Sequence, residues 1–119
     1  MVDITPSVQK EVSEAALTDG ICVVYVPHTT AGITINEGAD PAVCRDIIKK
    51  FNDLAPRDAG YHHMEGNSDS HIKASITGSS VTVLVERGHL VLGTWQKIFF
   101  CEFDGPRSRK VYFRSMSLK

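Results

Sequence analysis

The sequence has few cysteines and no excess of positive charge. Its three cysteines, Cys22, Cys44 and Cys101, are widely spaced and form no CxxC pair, so we expect buried, reduced thiols and no redox pair or zinc ribbon. Thirteen Lys and Arg residues against fourteen Asp and Glu residues leave a net charge of -1. No global field therefore draws the chain to nucleic acid or to an anionic membrane, and neither is an expected partner.

Long hydrophobic runs are also missing. The longest stretch without Asp, Glu, Lys or Arg covers residues 20–36, and it is too short and too polar to span a bilayer. Residues 1–5 contain neither a basic region nor an apolar run, which argues against a signal or transit peptide. We therefore expect a cytoplasmic location.

The composition is typical of one globular domain. With 119 residues, 42% of them hydrophobic, the chain can bury a core without disulfides, and no linker or repeat divides residues 1–119. We expect helices over 5–19 and 41–55, the first beginning at a Thr5-Pro6 cap and the second at an Asp40-Pro41 cap. Strands are expected over 21–26, 33–35, 81–86, 89–92, 94–103 and 109–116, with a long loop over 57–70 and a short helical turn over 71–76.

The strand predicted over 94–103 carries apolar residues on both faces. One parity contains Trp95 and Phe99, the other Ile98 and Phe100, and Trp95 is expected to be a core anchor. A small domain covers one face of such a sheet with its own helices. We therefore expect a second copy of the chain to cover the other face.

Histidines are concentrated around the long loop. His62, His63 and His71 lie in the loop and the element after it, Glu65 lies beside them, and His28 follows a strand. Two or three imidazoles with a carboxylate are how a catalytic zinc site is assembled. A single loop histidine is, however, more often solvated or hydrogen-bonded, and the spacing matches no local metal motif such as HExxH. His62 and His89 are expected at the surface.

Anion binding is the second chemistry that the residues suggest. Thr29 and Thr30, with small residues after them, would let backbone N–H groups approach a phosphate. Lys73, Arg107 and Arg109 could supply charged donors, although the two arginines fit a solvated turn equally well. Glu37 and Gln96 are further candidates because neither has an evident structural role, whereas Asp40 is explained as a helix cap.

Several motifs, taken together and in order, resemble the YjbQ family, also called UPF0047. They are Pro27-His28-Thr29-Thr30-Ala31-Gly32-Ile33-Thr34-Ile35-Asn36-Glu37, Asp40-Pro41, Tyr61 with His63, the stretch from Glu65-Gly66-Asn67-Ser68-Asp69-Ser70-His71 to Ala74, and Gly93-Thr94-Trp95-Gln96. The resemblance covers nearly the whole chain.

The resemblance implies an α+β fold in which two mainly antiparallel β-sheets pack together with helices, assembled as a homotrimer with clefts between subunits. It places functional interest on His28, His63 and His71 as ligands of a metal, zinc or alternatively magnesium, or of a phosphate, and it excludes His62 and His89. Family members begin with a strand ahead of the first helix, which this sequence is expected to lack.

The resemblance also implies thiamine phosphate synthase activity, which joins a pyrimidine diphosphate to a thiazole phosphate and releases pyrophosphate. A metal-dependent hydrolase is the second enzymatic hypothesis, with Glu65 or Glu37 as the general base. The ligand contacts are then expected from Thr29, Thr30, Lys73, Gln96 and Arg107. The alternative from another class is a non-catalytic protein that binds a phosphorylated metabolite or a metal ion.

Overall fold

Residues 1–118, which a computed structural model describes, form two antiparallel β-sheets and three α-helices. In chain order the elements are β1 (Val2–Asp3), α1 (Thr5–Glu14), β2 (Gly20–Tyr25), β3 (Ala31–Glu37), α2 (Pro41–Leu54), α3 (Ser68–Thr77), β4 (Ser80–Glu86), β5 (His89–Leu90), β6 (Gln96–Glu102) and β7 (Tyr112–Ser117). One sheet has the strand order β1-β6-β3 and the other β5-β4-β2-β7. The expected α+β architecture with two antiparallel sheets is confirmed.

The core lies between the two sheets and α1. Alternate residues of β2 and β4 point inward, including Cys22, Val24, Val83 and Val85. They pack with Val8 and Val12 of α1 and with Ile33, Ile98 and Phe100 of the three-stranded sheet. Period-two alternation in the strands and helical spacing in α1 therefore point at one shared interior.

The two helix starts differ in how they are capped. At α2, the Asp40 side chain accepts a hydrogen bond from the Ala42 backbone N–H at 2.9 Å, as expected for an N-cap. The expected cap at Thr5 is wrong, because the N-cap of α1 is Ile4 and makes no side-chain cap hydrogen bond. The Thr5 hydroxyl instead accepts a hydrogen bond from the Ile98 N–H at 2.8 Å, which joins α1 to β6.

Strand β6 is buried on both faces within a single chain. Ile98 and Phe100 face the core, while Phe99 and Cys101 on the opposite face are 5% and 1% exposed. The expectation that a second copy covers this strand is therefore wrong. Helices α2 and α3 cover the face that contains Phe99 and Cys101, and the ring of Phe51 in α2 meets the ring of Phe103 edge to face. Trp95 is 61% exposed, so it is not the core anchor that was expected.

Two further expectations about the elements are corrected. The short helical turn expected over 71–76 is a ten-residue helix that begins at Ser68. Its N-cap is Asn67, which lies within the segment that was expected to be a loop. A strand does precede the first helix: Val2 and Asp3 of β1 pair with Phe100 and Phe99 of β6. All three thiols are free as expected, but Cys44 is only partly buried, whereas Cys22 and Cys101 are buried. Burial raises the pKa of the Cys101 thiol to about 11.

Helix α3 is placed by a close approach to Gly32 of β3. A Cβ at Gly32 would lie 2.8 Å from the Gly78 carbonyl oxygen, which accepts a hydrogen bond from the Ile33 N–H at 3.0 Å. Only glycine lets the end of the helix come this near to the strand.

Within residues 1–118, no helix is long and apolar enough to cross a bilayer.

We predict that Gly32→Ala destabilises the protein by about 1 to 3 kcal/mol, because the added methyl group forces α3 away from β3. Chemical denaturation with fluorescence detection measures the change. Gly93→Ala is the matched control, since its methyl group would meet only the flexible Gln96 side chain at 3.3 Å. Equal stability of the two variants would contradict the close-packing account.

Candidate functional site

Three histidines from three different segments line one open cleft. His28 follows β2, His63 lies in the loop between α2 and α3, and His71 is on the first turns of α3. The cleft has a volume of about 360 Å³, and Thr29, Glu65, Arg107 and Arg109 contribute to its walls. The structure thus brings together the three histidines to which the family resemblance directed attention.

His63 and His71 are direct neighbours. Their ring centroids are 5.2 Å apart and the rings meet edge to face at 82°. The Nε2 atom of His63 is 3.9 Å from Oε2 of Glu65, so the imidazole and the carboxylate form an ion pair when His63 is protonated. The two side chains lie side by side at the rim of the cleft without a direct hydrogen bond.

His28 is fixed by the backbone on the other side of the cleft. Its Nε2 accepts a hydrogen bond of 2.8 Å from the Lys110 N–H. Since a neutral imidazole has one acceptor and one donor nitrogen, this bond leaves the proton on Nδ1. In this form His28 offers a donor N–H, which suits an anion better than a metal ion.

Arg109 is the site residue that sequence reasoning undervalued. Its Nε and Nη2 bind both carboxylate oxygens of Glu102 at 2.7 and 2.5 Å, and Nη2 also donates to the Thr30 hydroxyl at 2.9 Å. Nη1 makes no hydrogen bond within residues 1–118. The sequence showed Arg109 in a turn but gave no sign that Glu102, seven positions earlier, would hold it.

The loop after β6 is tied to α3 by Asp104. Its carboxylate accepts hydrogen bonds from the Asn67 amide at 2.8 Å and from Arg107 at 2.9 Å. The hydrogen bond from Asn67, followed by the Arg107 charge, holds the pKa of the Asp104 carboxyl below its usual value. Arg107 is about half exposed and reaches the cleft from this loop.

A second pocket, a groove along α3, lies next to the cleft at His28 and His71. This second part also measures about 360 Å³ and is lined by Ala31, Ala74, Ser75 and Ser79. Thr29, His28 and His71 border both parts. The two pockets are therefore adjacent, with these three residues between them.

Lys73 lies away from this cleft. Its side chain is 9% exposed, and Nζ donates to Asp69 at 3.0 Å and to Asn52 of α2 at 2.8 Å. The buried pair fastens α3 to α2, because a charge removed from water needs its partner and hydrogen bonds. Within one chain, Lys73 is therefore not placed to contact an anion in the histidine cleft.

Glu37 and Gln96 are also remote from the histidines. They pair with each other at one end of the β3–β6 ladder, whereas Ala31 and Glu102 pair at the other end. Six residues of strand separate these ends, or about 20 Å. Gln96 accepts a hydrogen bond from the Gly93 N–H at 2.7 Å and closes a turn.

His62 and His89 lie at the surface, as expected.

Metal ligation is not preformed. Across residues 1–118, no group of three or more His, Cys, Asp or Glu side chains is arranged to hold a metal ion. Zinc or magnesium at His28, His63 and His71 therefore stays a prediction.

Comparison with known proteins places the whole chain in one group. The family model described as UPF0047 protein YjbQ-like matches residues 1–117. A UPF0047 protein of Methanocaldococcus jannaschii is 55% identical over 96% of this chain and 83% of its own. The UPF0047 protein YugU of Bacillus subtilis is 50% identical over 98% of this chain and 89% of its own.

Solved structures show the same fold. A YjbQ/UPF0047 family protein from Clostridium acetobutylicum superposes with a TM-score of 0.95 at 55% identity, covering 97% of this chain and 89% of its own. Protein TT1486 of Thermus thermophilus superposes with a TM-score of 0.91 at 44% identity, covering 97% and 90%.

We predict that the Glu102–Arg109 pair stabilises the fold in a pH-dependent way. The hydrogen bonds from Arg109 lower the pKa of Glu102, so the stabilisation is present above the carboxyl's ordinary value of 4.5 and is lost as the pH falls through the lowered folded value. Glu102→Gln should cost about 1 to 3 kcal/mol at pH 7 and progressively less at acidic pH. Urea denaturation across this range measures the difference.

Glu14→Gln is the control for this experiment, because Glu14 is exposed on α1 and pairs only loosely with Lys10. Its effect on the free energy of unfolding should be small at every pH. A Glu102→Gln penalty that persists unchanged at low pH would contradict a role for the carboxylate charge.

Proposed function

The chain belongs to the YjbQ-like UPF0047 family, and from that premise we propose that it is a small enzyme acting on a phosphorylated small molecule in the cleft of His28, His63 and His71. The observation that carries the proposal is Arg109, which Glu102 and Thr30 hold in the wall of this cleft. A guanidinium anchored on one edge presents its other N–H groups at little entropic cost, which is the usual basis of phosphate recognition.

The groups around Arg109 suit the same ligand. Arg107 brings a second positive charge to the cleft, and the tautomer of His28 provides a neutral N–H donor. Thr29 is exposed beside them and offers a hydroxyl. A phosphate oxygen accepts a hydrogen bond from each of these donor types.

A thiamine phosphate synthase reaction is the activity that we propose for this cleft. In that reaction the thiazole nitrogen bonds to the pyrimidine's methylene carbon, the bond from that carbon to the diphosphate oxygen breaks, and pyrophosphate leaves with the bonding electrons. Arg109 then holds the thiazole phosphate, and Arg107, which lines the same cleft, is suited to stabilise the charge that develops on the departing pyrophosphate. We propose that Glu65, whose carboxylate lies 3.9 Å from the His63 ring, takes a proton from the substrate as pyrophosphate leaves and returns it once the new bond has formed.

Direct binding tests the anion site. We expect Arg109→Lys to weaken the affinity for thiazole phosphate at least about tenfold in isothermal titration calorimetry, because lysine cannot keep the two-pronged contact with Glu102 and still reach the ligand. Arg87→Lys, in the exposed turn between β4 and β5, should leave the affinity unchanged. Wild-type affinity in Arg109→Lys would refute the phosphate site.

Turnover separates the enzyme from the non-catalytic binding protein. With both thiamine precursors and magnesium present, Glu65→Gln should lower kcat by about 100-fold or more while thiazole phosphate still binds. Tight binding without turnover in the wild type would instead establish a binding protein. About one zinc per chain, lost in a folded His63→Ala variant, would favour the metal-dependent hydrolase that uses the same histidines.

A homotrimer is the assembly that we propose, formed through the outer face of the four-stranded sheet. Across β4, β2 and β7, Leu84, Ile21 and Met116 stand side by side in register, and Tyr25 lies beside Tyr112 further along. Leu84 is 54% exposed and Met116 60%, a contiguous apolar patch of the kind that oligomers bury. Glu37 and Gln96 could reach a histidine cleft only if that cleft belonged to another subunit.

We expect Leu84→Lys to shift the protein from trimer to monomer in light scattering, because the charge would have to be buried in the contact. Glu14→Lys on α1 serves as the control and should remain trimeric. A monomeric wild type, or a Leu84→Lys variant that is folded and still trimeric, would contradict the proposed surface.

A further inference from the structure

The groove along α3 differs in chemistry from the arginine end of the cleft. Its walls contain no Asp, Glu, Lys or Arg, but small side chains and hydroxyls from Ala31, Ala74, Ser75 and Ser79. The adjoining part contains Arg107, Arg109 and Glu65. Of the two adjacent pockets, only one therefore contains Asp, Glu, Lys or Arg side chains, and His28 and His71 lie at the boundary between them.

A phosphate monoester has the matching division, since its phosphoryl group carries all the charge and its organic part can carry none. We propose that the α3 groove binds the uncharged organic part of the ligand while the phosphoryl group lies at Arg109, and that Ser75 and Ser79 limit its size. The inference rests on the proposed phosphate site. It adds the orientation of the ligand and the residues that select it.

The residues at the base of the groove have small side chains. Ala31 is 1% exposed and Ala74 9%, so backbone and methyl groups close the groove from below without filling it. The Ser75 hydroxyl folds back onto its own helix and donates to the His71 carbonyl oxygen at 2.9 Å. The groove volume of about 360 Å³ is in the range of small-molecule sites and suits one uncharged ring.

The hydroxyls and imidazoles favour a polar ring over a hydrocarbon. The exposed side chains of Thr29 and Ser79 offer hydrogen bonds to heteroatoms. An entirely apolar group would leave these hydroxyls without water or a partner, which disfavours its binding. The ligand class is therefore a phosphate ester of a small, uncharged, heteroatom-containing ring.

A leucine at position 75 tests this orientation. Leucine favours helix, but its side chain cannot fold back as serine does, so in Ser75→Leu it would project into the groove. Ser13→Leu is the matched control: Ser13 is also exposed on a helix and also donates to the carbonyl four residues earlier, at 3.1 Å, but it lies on α1. Calorimetric titration with inorganic phosphate and with thiazole phosphate is carried out on both variants.

We expect Ser75→Leu to weaken thiazole phosphate binding at least about tenfold and to change inorganic phosphate binding less than about twofold. Ser13→Leu should change neither. Ser79→Leu, on the segment facing α3, should repeat the selective loss if Ser75→Leu proves unstable.

Three outcomes would overturn the inference. Unchanged affinity for both probes in Ser75→Leu and Ser79→Leu would place the organic part outside the groove. Equal loss for both probes would place the phosphoryl group in the α3 half. A wild-type protein that binds neither probe would refute the proposed function itself, a result distinguishable from the first two because no variant is needed to see it.

Discussion

The paired contact between Glu102 and Arg109 is the constraint on which the candidate site depends. It joins the last residue of β6 to the segment that leads into β7, and Arg109 extends it to Thr30 at the start of β3. The next residue, Lys110, donates its N–H to His28 and so sets the position and tautomer of that imidazole. One ion pair thereby positions two of the cleft's functional groups.

The strand framework was largely predictable from sequence, because alternation and turn residues are local signals. The clustering of loop histidines was visible in the sequence, but the choice of His28, His63 and His71 came from the family resemblance, and their geometry could not be predicted. Glu102 and Arg109 show why. The two side chains meet because the loop between positions 102 and 109 folds back on itself. Hydrophobic periodicity identifies strands and helices but contains no information about the path of such a loop. Lys73 is an example of a wrong prediction from charge alone. Its charge suggested a contact with the ligand, but on α3 its side chain is buried and binds Asp69.

The burial of β6 illustrates a second limit of pattern reasoning. Apolar residues on both faces correctly indicated burial on both sides, but they could not say whether helices of the same chain or another copy would provide it. The surface that does remain apolar lies on β2, β4 and β7, where aromatic and aliphatic residues meet only through cross-strand register. Register is set by tertiary pairing and is weakly encoded in any one strand.

Binding of a phosphoryl group between Arg109 and His28 is the central claim. An NMR titration of isotopically labelled protein with thiazole phosphate tests it most directly. The account predicts saturable shifts of the Lys110 amide, the Arg109 Nε–H and the His28 ring, with the Gly93 amide near Gln96 unaffected. No saturable change, or changes centred on Glu37 and Gln96 instead, would contradict it.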